Sequence, residues 1–376
     1  MCGIVCENRG VNSIEKIRHR GPDSQKIVFE SGISFGFARL SINDKSKRGD
    51  QPFEYREFIG VFNGEIYNYK ELIHKFKLNV KSESDTEVIL PLFSLIGLDI
   101  LKELDGFYSG LIFDKKRKEL FTIKDSIGKK PLFYVQLKRD WSFVSELKVI
   151  EEQIIFFQTI PKGISKLENR ELRVVAPHQK YRLKKRLGLL TILENSVKKR
   201  VVEEPFGIFL SGGIDSTIIA YLSLKYSQNI TFYTLGNRES LDVKAVKAIE
   251  DFLNIDVKYI EIPEDITKLI EEVVYFSESY NPSIISNGIG TYILSREARK
   301  DGLKTVLTGD GADEVFCGYS LAETDLQSTR HKLLEDLQNT ELRRVDNLSM
   351  ANSIELRNPF LDREVLAFAD TLSDSD

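Results

Sequence analysis

Two sets of residues in this chain could do chemistry. One is a cysteine next to the initiator methionine; the other is a pair of glycine-rich loops with serines and carboxylates. The opening "MCGIVCENRG" places the thiol of Cys2 at the extreme end of the chain, where disorder is the usual fate. A thiol kept there needs a reason. Far downstream, "FLSGGIDST" (209–217) joins a short apolar run to a helical pattern. Gly212 and Gly213 allow close backbone approach. The helix beginning near Asp215 turns its unpaired N–H groups and positive dipole end onto the loop, and Ser211 and Ser216 add hydroxyl donors. Together these make an anion cradle. It is not a Walker A loop, because no lysine follows the glycines. Asp215 would repel a bare phosphate and makes sense with Mg2+ between them. The bland alternative is an ordinary turn with a Ser/Asp cap.

A second loop, "LTGDGADEVFCGY" (307–319), also follows a predicted strand. It crowds Asp310, Asp313 and Glu314 beside two glycines, an arrangement that costs stability unless a metal or cation joins the carboxylates. Its bland alternative is a solvated acidic turn. A third stretch, "SMANSIELRNPFLDREV" (349–365), sets Glu355, Arg357 and Asp362 around an apolar "PFL". Taken alone it reads as a helix end with surface ion pairs.

The elements that must position these residues differ between the halves. Residues 27–145 show short apolar and alternating runs broken by turn residues, as in "SGISFGFARLSI", "FIGVFNGEIYN", "YSGLIFD" and "ELFTIKD". These predict antiparallel strands, with one helix, "SDTEVILPLFSLIG", capped by Ser84. From Val201 the rhythm becomes strand, helix, strand. That predicts βαβ units and a parallel sheet, with ligands at the carboxyl ends of its strands. Between them, roughly residues 150–190, periodicity is weak and Lys and Arg are frequent, which reads as a linker and the start of the second domain.

Composition bounds the rest. The 376 residues exceed one ordinary hydrophobic core, so two domains are expected. A hydrophobic fraction of 41%, a charged fraction of 29% and a net charge of −4 describe a globular protein with no global pull toward nucleic acid. Three cysteines, Cys2, Cys6 and Cys317, are too few for a disulfide framework or a structural zinc site and suit a reducing cytosol. No signal peptide and no membrane span are expected. The basic stretch "QKYRLKKRLG" lacks interleaved aromatics beyond Tyr181, so nucleic acid is not an expected partner.

"LSGGIDS", "TGDGADEVFCGY" and "SIELRNPFLD" resemble the synthetase domain of the glutamine-hydrolysing asparagine synthetases, which has an adenine nucleotide α-hydrolase-like fold. The resemblance implies an ATP site. Leu210, Ser211, Gly212, Gly213, Asp215, Ser216, Leu235, Thr308 and Gly309 would approach the nucleotide. Asp215 and Asp313 would ligate Mg2+, and Asp310 would organise formation of an aspartyl-adenylate. The expected partners are glutamine, aspartate and ATP; the sequence does not fix the oligomeric state, and a homodimer stays open.

The first half carries the companion motifs in order: "MCGIV", "RHRGPDS", "ARLSIND", "FNGEIYN", "SESDTEVI", "KDSIGKKPLFY" and "FVSELK". These resemble class II glutamine amidotransferases, which are N-terminal-nucleophile hydrolases with a four-layer αββα sandwich. On this reading residues 1–165 form an α+β glutaminase domain and 166–376 an α/β ATP-binding domain. Cys2 is the nucleophile. With Met1 removed its α-amine, with a pKa near ~7.7–8.0, can take the thiol proton, so no histidine base is required. Cys6 is expected to be packing. The resemblance makes the Asn63 amide and the Gly64 N–H the oxyanion donors, although "NG" is also a hairpin-turn signal. Arg39 would fork the glutamine carboxylate and Asp85 would meet its ammonium, within a site of Arg39, Leu40, Ser41, Ile42, Asn43, Asn63, Gly64, Glu65 and Asp85.

Three departures stand out. The segment between Cys2 and "RHRGPDS" is short, and Ser286 occupies a position where an arginine is common. The chain also ends at "TLSDSD", before the family's Lys-Tyr-x-Leu-Arg segment. That last feature leads to an expectation of strong glutaminase and weak, poorly coupled synthetase activity. Two other functions stay open: amidation of another carboxylate, on a sugar or secondary metabolite, and a glutaminase with a degenerate synthetase half.

Overall fold

Every strand of the first half pairs antiparallel, and the reason is visible in the connections: short turns such as 115–118 return the chain directly alongside itself. The computed structural model describes residues 2–9, 13–183, 187–236, 241–319 and 325–373, with only the backbone at 241 and 242. Residues 184–186 of the basic stretch and 374–376 at the end of "TLSDSD" lie outside these. The chain divides into two units, Met1–Gln179 and Lys180–Asp376.

The first unit holds twelve strands: β1 (Cys2–Glu7), β2 (Ser24–Glu30), β3 (Ile33–Arg39), β4 (Phe53–Tyr55), β5 (Phe58–Ile66), β6 (Gly106–Asp114), β7 (Glu119–Lys124), β8 (Phe133–Gln136), β9 (Trp141–Val144), β10 (Phe156–Thr159), β11 (Gly163–Glu168) and β12 (Glu171–Ala176). They form two six-stranded sheets, ordered β10-β8-β9-β1-β3-β2 and β12-β11-β7-β6-β5-β4. Alternation sorts the apolar residues into three cores. Cys2, Ile4, Phe35, Phe37, Val61, Leu111 and Phe143 meet between the sheets. Phe62, Ile66, Tyr108 and Ile112 turn outward onto Leu72, Leu90 and Phe93 from the helices Tyr69–Phe76 and Ile89–Ile96. Val5, Ala38 and Val144 pack on Ile14, Ile17 and Val149. The expected αββα layering is therefore present, with 3-10 turns (Ile14–Arg20 and Leu147–Val149) as the outer layer over the first sheet.

Residues 150–190 are corrected from linker to sheet. β10, β11 and β12 lie there, and a boundary at 165/166 would cut β11, which pairs with both β7 and β12. The units part fourteen residues later, after Gln179. Periodicity is weak there because β10 and β12 are edge strands with largely exposed faces, and β11 between β12 and β7 is short. Ser84 makes no capping bond to the backbone, and 3-10 geometry over Asp85–Val88 precedes the helix.

The second unit is a parallel sheet of β13 (Phe206–Phe209), β14 (Ile230–Leu235), β15 (Val257–Ile260), β16 (Thr305–Leu307) and β17 (Glu355–Arg357), ordered β15-β14-β13-β16-β17. Strand order reverses between β13 and β16, so the loops following these two strands open a crevice at the carboxyl edge. The helices Pro282–Lys300 and Glu341–Met350 cover one face through Leu294, Ala298 and Val345. Among the described residues no helix is long and apolar enough to cross a membrane.

The stretch "SIELRNPFLD" is corrected from a surface helix end to a buried strand. Glu355, Arg357 and Asp362 are 1%, 3% and 1% exposed. Arg357 donates to Glu355 at 2.8 Å, and Asp362 accepts from Arg200 at 2.8 Å and Lys199 at 3.3 Å. Burial alone would raise the Asp362 carboxyl, but the charges of Arg200 and Lys199, the Arg200 hydrogen bond and the Glu364 N–H outweigh it and hold it at about 2. The unfolded value is ~3.9, so the contribution is complete above that pH and is lost as pH falls toward about 2. Asp362→Asn leaves the Arg200 charge buried without its counterion. It is expected to destabilise the second unit by about 3–5 kcal/mol at neutral pH, with the difference from the parent shrinking below pH 4. Urea denaturation across pH is the check.

Candidate active site

The thiol at the chain end is held in place by the sheet. β1 is an inner strand between β9 and β3, with Cys2 registered opposite Arg39. Cys2 is only 9% exposed. Its N–H donates to Asn63 Oδ1 at 2.9 Å, and its carbonyl accepts from Arg20 Nε at 3.1 Å. Arg20 in turn donates to Glu146 at 2.9 Å, and His19 and Lys148 reach the same carboxylate at 3.0 and 2.7 Å. Burial would raise Glu146, but Lys148, His19 and Arg20 outweigh it and hold it far below the usual carboxylate range. Cys6 is fully buried, and burial, followed by the charge of Glu7, pushes its thiol well up.

"NG" does not form a turn. Asn63 and Gly64 lie inside β5, paired with Ser109 and Tyr108 of β6. β4 pairs only with Phe58–Gly60, so the rest of this edge has no strand beside it. Along it Gln51 takes the N–H and C=O of Phe62, at 2.6 and 3.0 Å, and Asp85 takes the N–H of Ile66 at 2.6 Å. Gly64 lies between them with the same parity, so its N–H points out of the sheet toward the same side. A Cβ here would lie 2.2 Å from the carbonyl oxygen of Phe107, so only glycine fits. Because Asn63 Oδ1 accepts from Cys2, the amide presents Nδ2 as a donor, and that buried atom meets no protein partner. Two donors, Asn63 Nδ2 and the Gly64 N–H, therefore lie on consecutive residues, the first on the side chain that accepts from the Cys2 N–H.

Of the remaining expected residues, Asn43, Glu65 and Asp85 meet at this edge. Asn43 Nδ2 reaches Asp85 at 3.2 Å and Glu65 at 3.4 Å. Ser41 donates through its N–H and hydroxyl to Asp23 at 2.8 and 2.7 Å, which fixes the segment carrying Leu40 and Ile42. Arg39 is engaged: Nη1 donates to Asp50 at 2.8 Å and to the Ser46 carbonyl at 2.6 Å, and Nη2 to the Asp44 carbonyl. The carboxylate fork expected of Arg39 is thus turned into the 44–50 segment. The sequence reading assigned no roles to Arg20, Asp23, Gln51 and Glu146, although "RHRGPDS" and "FVSELK" contain three of them.

In the second unit the crevice holds both glycine loops. Ser211 N–H donates to Ser216 Oγ at 3.1 Å, and the two hydroxyls are 3.0 Å apart. A Cβ placed on Gly309 would lie 3.0 Å from Ser216 N and 3.1 Å from Asp215 Cβ, so the loops touch. Burial, then the charge of Asp313, raises the Asp215 carboxyl. Two carboxylates whose charges oppose one another, one of them in the first turn of the helix Ile214–Ser223, suit a divalent cation that would offset them. Among the described residues no cluster of three or more metal-ligating side chains occurs. A cation here would therefore complete its shell with phosphate oxygens and water, the usual Mg2+ arrangement. Leu210 and Leu235 close β13 and β14, and Ser286 lies exposed on the helix Pro282–Lys300. Thr308 donates to Asp310, whose other oxygen accepts from Arg344 at 3.2 Å. Asn358 Nδ2 reaches Thr308 Oγ1 at 3.3 Å and the Asp310 carbonyl at 3.4 Å. The sequence reading assigned no role to Arg344 or Asn358. Glu314 is buried, which pushes its carboxyl up, and accepts from Tyr319 at 2.6 Å.

Residues 1–187 match the glutamine amidotransferase domain family, and residues 188–376 match the asparagine synthase family. A putative asparagine synthetase [glutamine-hydrolyzing] of Methanocaldococcus jannaschii is 30% identical over 96% of this chain and 76% of its own. A probable asparagine synthetase of Acanthamoeba polyphaga mimivirus is 29% identical, with 98% and 77% covered. The asparagine synthetase of Zea mays is 29% identical, with 98% and 70% covered.

Proposed function

The chain belongs to the family of glutamine-hydrolysing asparagine synthetases, and on that premise we propose how its two sites divide the reaction. It is an ATP-dependent carbon–nitrogen ligase that makes asparagine from aspartate with glutamine as nitrogen donor. The observation that carries the proposed division is the Cys2–Asn63 pair. One bond orients the amide, and the same orientation leaves the buried Nδ2 as a donor with no protein partner.

In the first unit, removal of Met1 would convert the Cys2 N–H into an α-amine that can still donate to Asn63. The amine takes the thiol proton and the thiolate attacks the glutamine amide carbon. Asn63 Nδ2 and Gly64 N–H receive the developing oxyanion. Ammonia leaves, and water then cleaves the thioester to glutamate. Asp85, Glu65 and Asn43 form the wall that meets the substrate ammonium. Arg39 meets its carboxylate once the 44–50 contacts are shared or exchanged.

In the second unit, the backbone and hydroxyls of 211–216 cradle the ATP phosphates, and Leu210, Leu235, Thr308 and Gly309 flank the nucleotide. Asp215 and Asp313 would hold Mg2+, which neutralises phosphate charge when bound. Asp310, pinned by Thr308 and Arg344, stands where the carboxylate of aspartate would be oriented toward the α-phosphorus. Pyrophosphate leaves, and ammonia displaces AMP from the aspartyl-adenylate. A cytosolic location suits a chain whose three cysteines form no disulfide.

The test is product analysis by mass spectrometry with amide-labelled glutamine, ATP, Mg2+ and aspartate. Labelled asparagine with one AMP and one pyrophosphate per asparagine is expected. Glutamate and labelled ammonia with no AMP at any aspartate concentration would overturn the synthetase assignment. In the same assay Asp215→Asn should raise the Mg2+ needed for half-maximal AMP release by roughly tenfold or more and leave glutamine hydrolysis at the parent rate. Matching Mg2+ titrations would remove Asp215 from the metal site.

A further inference from the structure

The layer between the two sheets of the first unit carries buried polar side chains in two adjacent rows. Register sets Asn63, Ser109 and Lys124 side by side across β5, β6 and β7. The next row along the strands is Val61, Leu111, Thr122 and Ser165, which extends onto β11. Residues in register share a face. Val61 and Leu111 pack with Cys2 and Ile4 between the sheets, so both rows look into that layer. Ser109, Thr122, Lys124 and Ser165 are all 0% exposed. The hydroxyls of Ser109, Thr122 and Ser165 meet no hydrogen-bond partner in the protein.

Three unpaired hydroxyls at adjacent positions are unusual for a protein interior, where buried polar groups are paired with protein or with ordered water. A buried water needs two to four polar partners. In-register neighbours such as Thr122 and Ser165 have Cβ atoms about 4.5–5.5 Å apart, a span that two hydrogen bonds to one water bridge. Ser109 is diagonal to Thr122 and directly beside Asn63. We infer that these hydroxyls hold a cluster of internal water molecules between the sheets, ending against Asn63 and buttressing the amide that faces the thiol. The hydration stands on the buried hydroxyls alone; the buttress rests on the proposed role of Asn63 in glutamine hydrolysis.

Two measurements test the hydration without using activity. A high-resolution crystal structure of the full chain is expected to show ordered water bonded to at least two of the three hydroxyls, and a dry layer would overturn the proposal. Thr122→Val keeps the side-chain shape. In a dry layer it removes an unpaired hydroxyl and raises the urea midpoint. In a hydrated layer it breaks a water contact and lowers the midpoint, which is the expected result. For the buttress, Ser109→Ala is expected to lower kcat for glutamine hydrolysis several-fold at unchanged KM, with ammonia-dependent AMP release at the parent rate. An unchanged kcat would overturn the buttress, whatever the water structure shows.

Discussion

Cys2→Ala is expected to abolish glutamine hydrolysis while asparagine synthesis from added ammonia continues. The two proposed chemistries lie in different units of the chain, Cys2 and Asn63 in the first and the 211–216 and 308–313 loops in the second. Removing the thiol takes away the nucleophile proposed to form the acyl intermediate. The loss is therefore total, whereas removing an orienting group lowers the rate by a factor. Folding should be little affected, because Cys2 begins a strand whose backbone bonds to Asn63 and Arg20 do not involve the thiol. Glutamine-dependent AMP release falls with glutamine hydrolysis, and ammonia restores it. Glutamine-supported turnover in the variant would show that another nucleophile serves the site. An N-terminal extension that prevents Met1 removal should behave like Cys2→Ala, since an acylated nitrogen cannot act as the base. Cys6→Ser makes a contrast: its thiol is buried in the inter-sheet core, so any loss of activity there should follow a loss of stability.

Asn63→Ala is expected to lower kcat for glutamine hydrolysis by ~10²–10³, the usual cost of one oxyanion donor, with KM for glutamine changed far less. The side chain does two things. Its Oδ1 takes the Cys2 N–H, and its Nδ2 is a buried donor without a protein partner. Alanine removes both, so Asn63→Asp is the informative companion. It keeps the acceptor for Cys2 and replaces the donor with an oxygen that repels the oxyanion. If orientation of the nucleophile were the whole contribution, Asp would restore activity. If oxyanion stabilisation dominates, Asp is as slow as Ala or slower, which is the expected outcome. Gly64 contributes through its backbone and cannot be tested by deletion, since a Cβ there meets the Phe107 carbonyl and would disturb β6.

The sequence by itself determined what depends on neighbours along the chain. The glycines, hydroxyls and dipole end of 211–216 lie within one strand–loop–helix step, so the anion cradle was legible from residue types alone. The change from strand-and-turn to strand-and-helix rhythm marked two fold classes, because side-chain periodicity is local. Cys2 and Asn63 do meet, although no spacing rule connects residues 61 positions apart; ordered motifs supplied that link. What tertiary structure alone decided follows from register and burial. Asn-Gly reads as a turn in isolation but lies within β5, because pairing with β6 outweighs the local turn preference. The three strands of 156–176 looked like a linker, because partly exposed strands lack a clean apolar alternation, and only their pairing with β7 and β8 defines them. The carboxylates of "SIELRNPFLD" read as surface charges until Arg200, from a distant helix, accompanies Asp362 into the interior. Arg39 carries the right chemistry for a carboxylate, yet its guanidinium is directed by Asp50 and two carbonyls of a loop that its own strand does not predict. In each case the deciding interaction joins residues far apart in the chain, so its energy appears only after the sheets have closed.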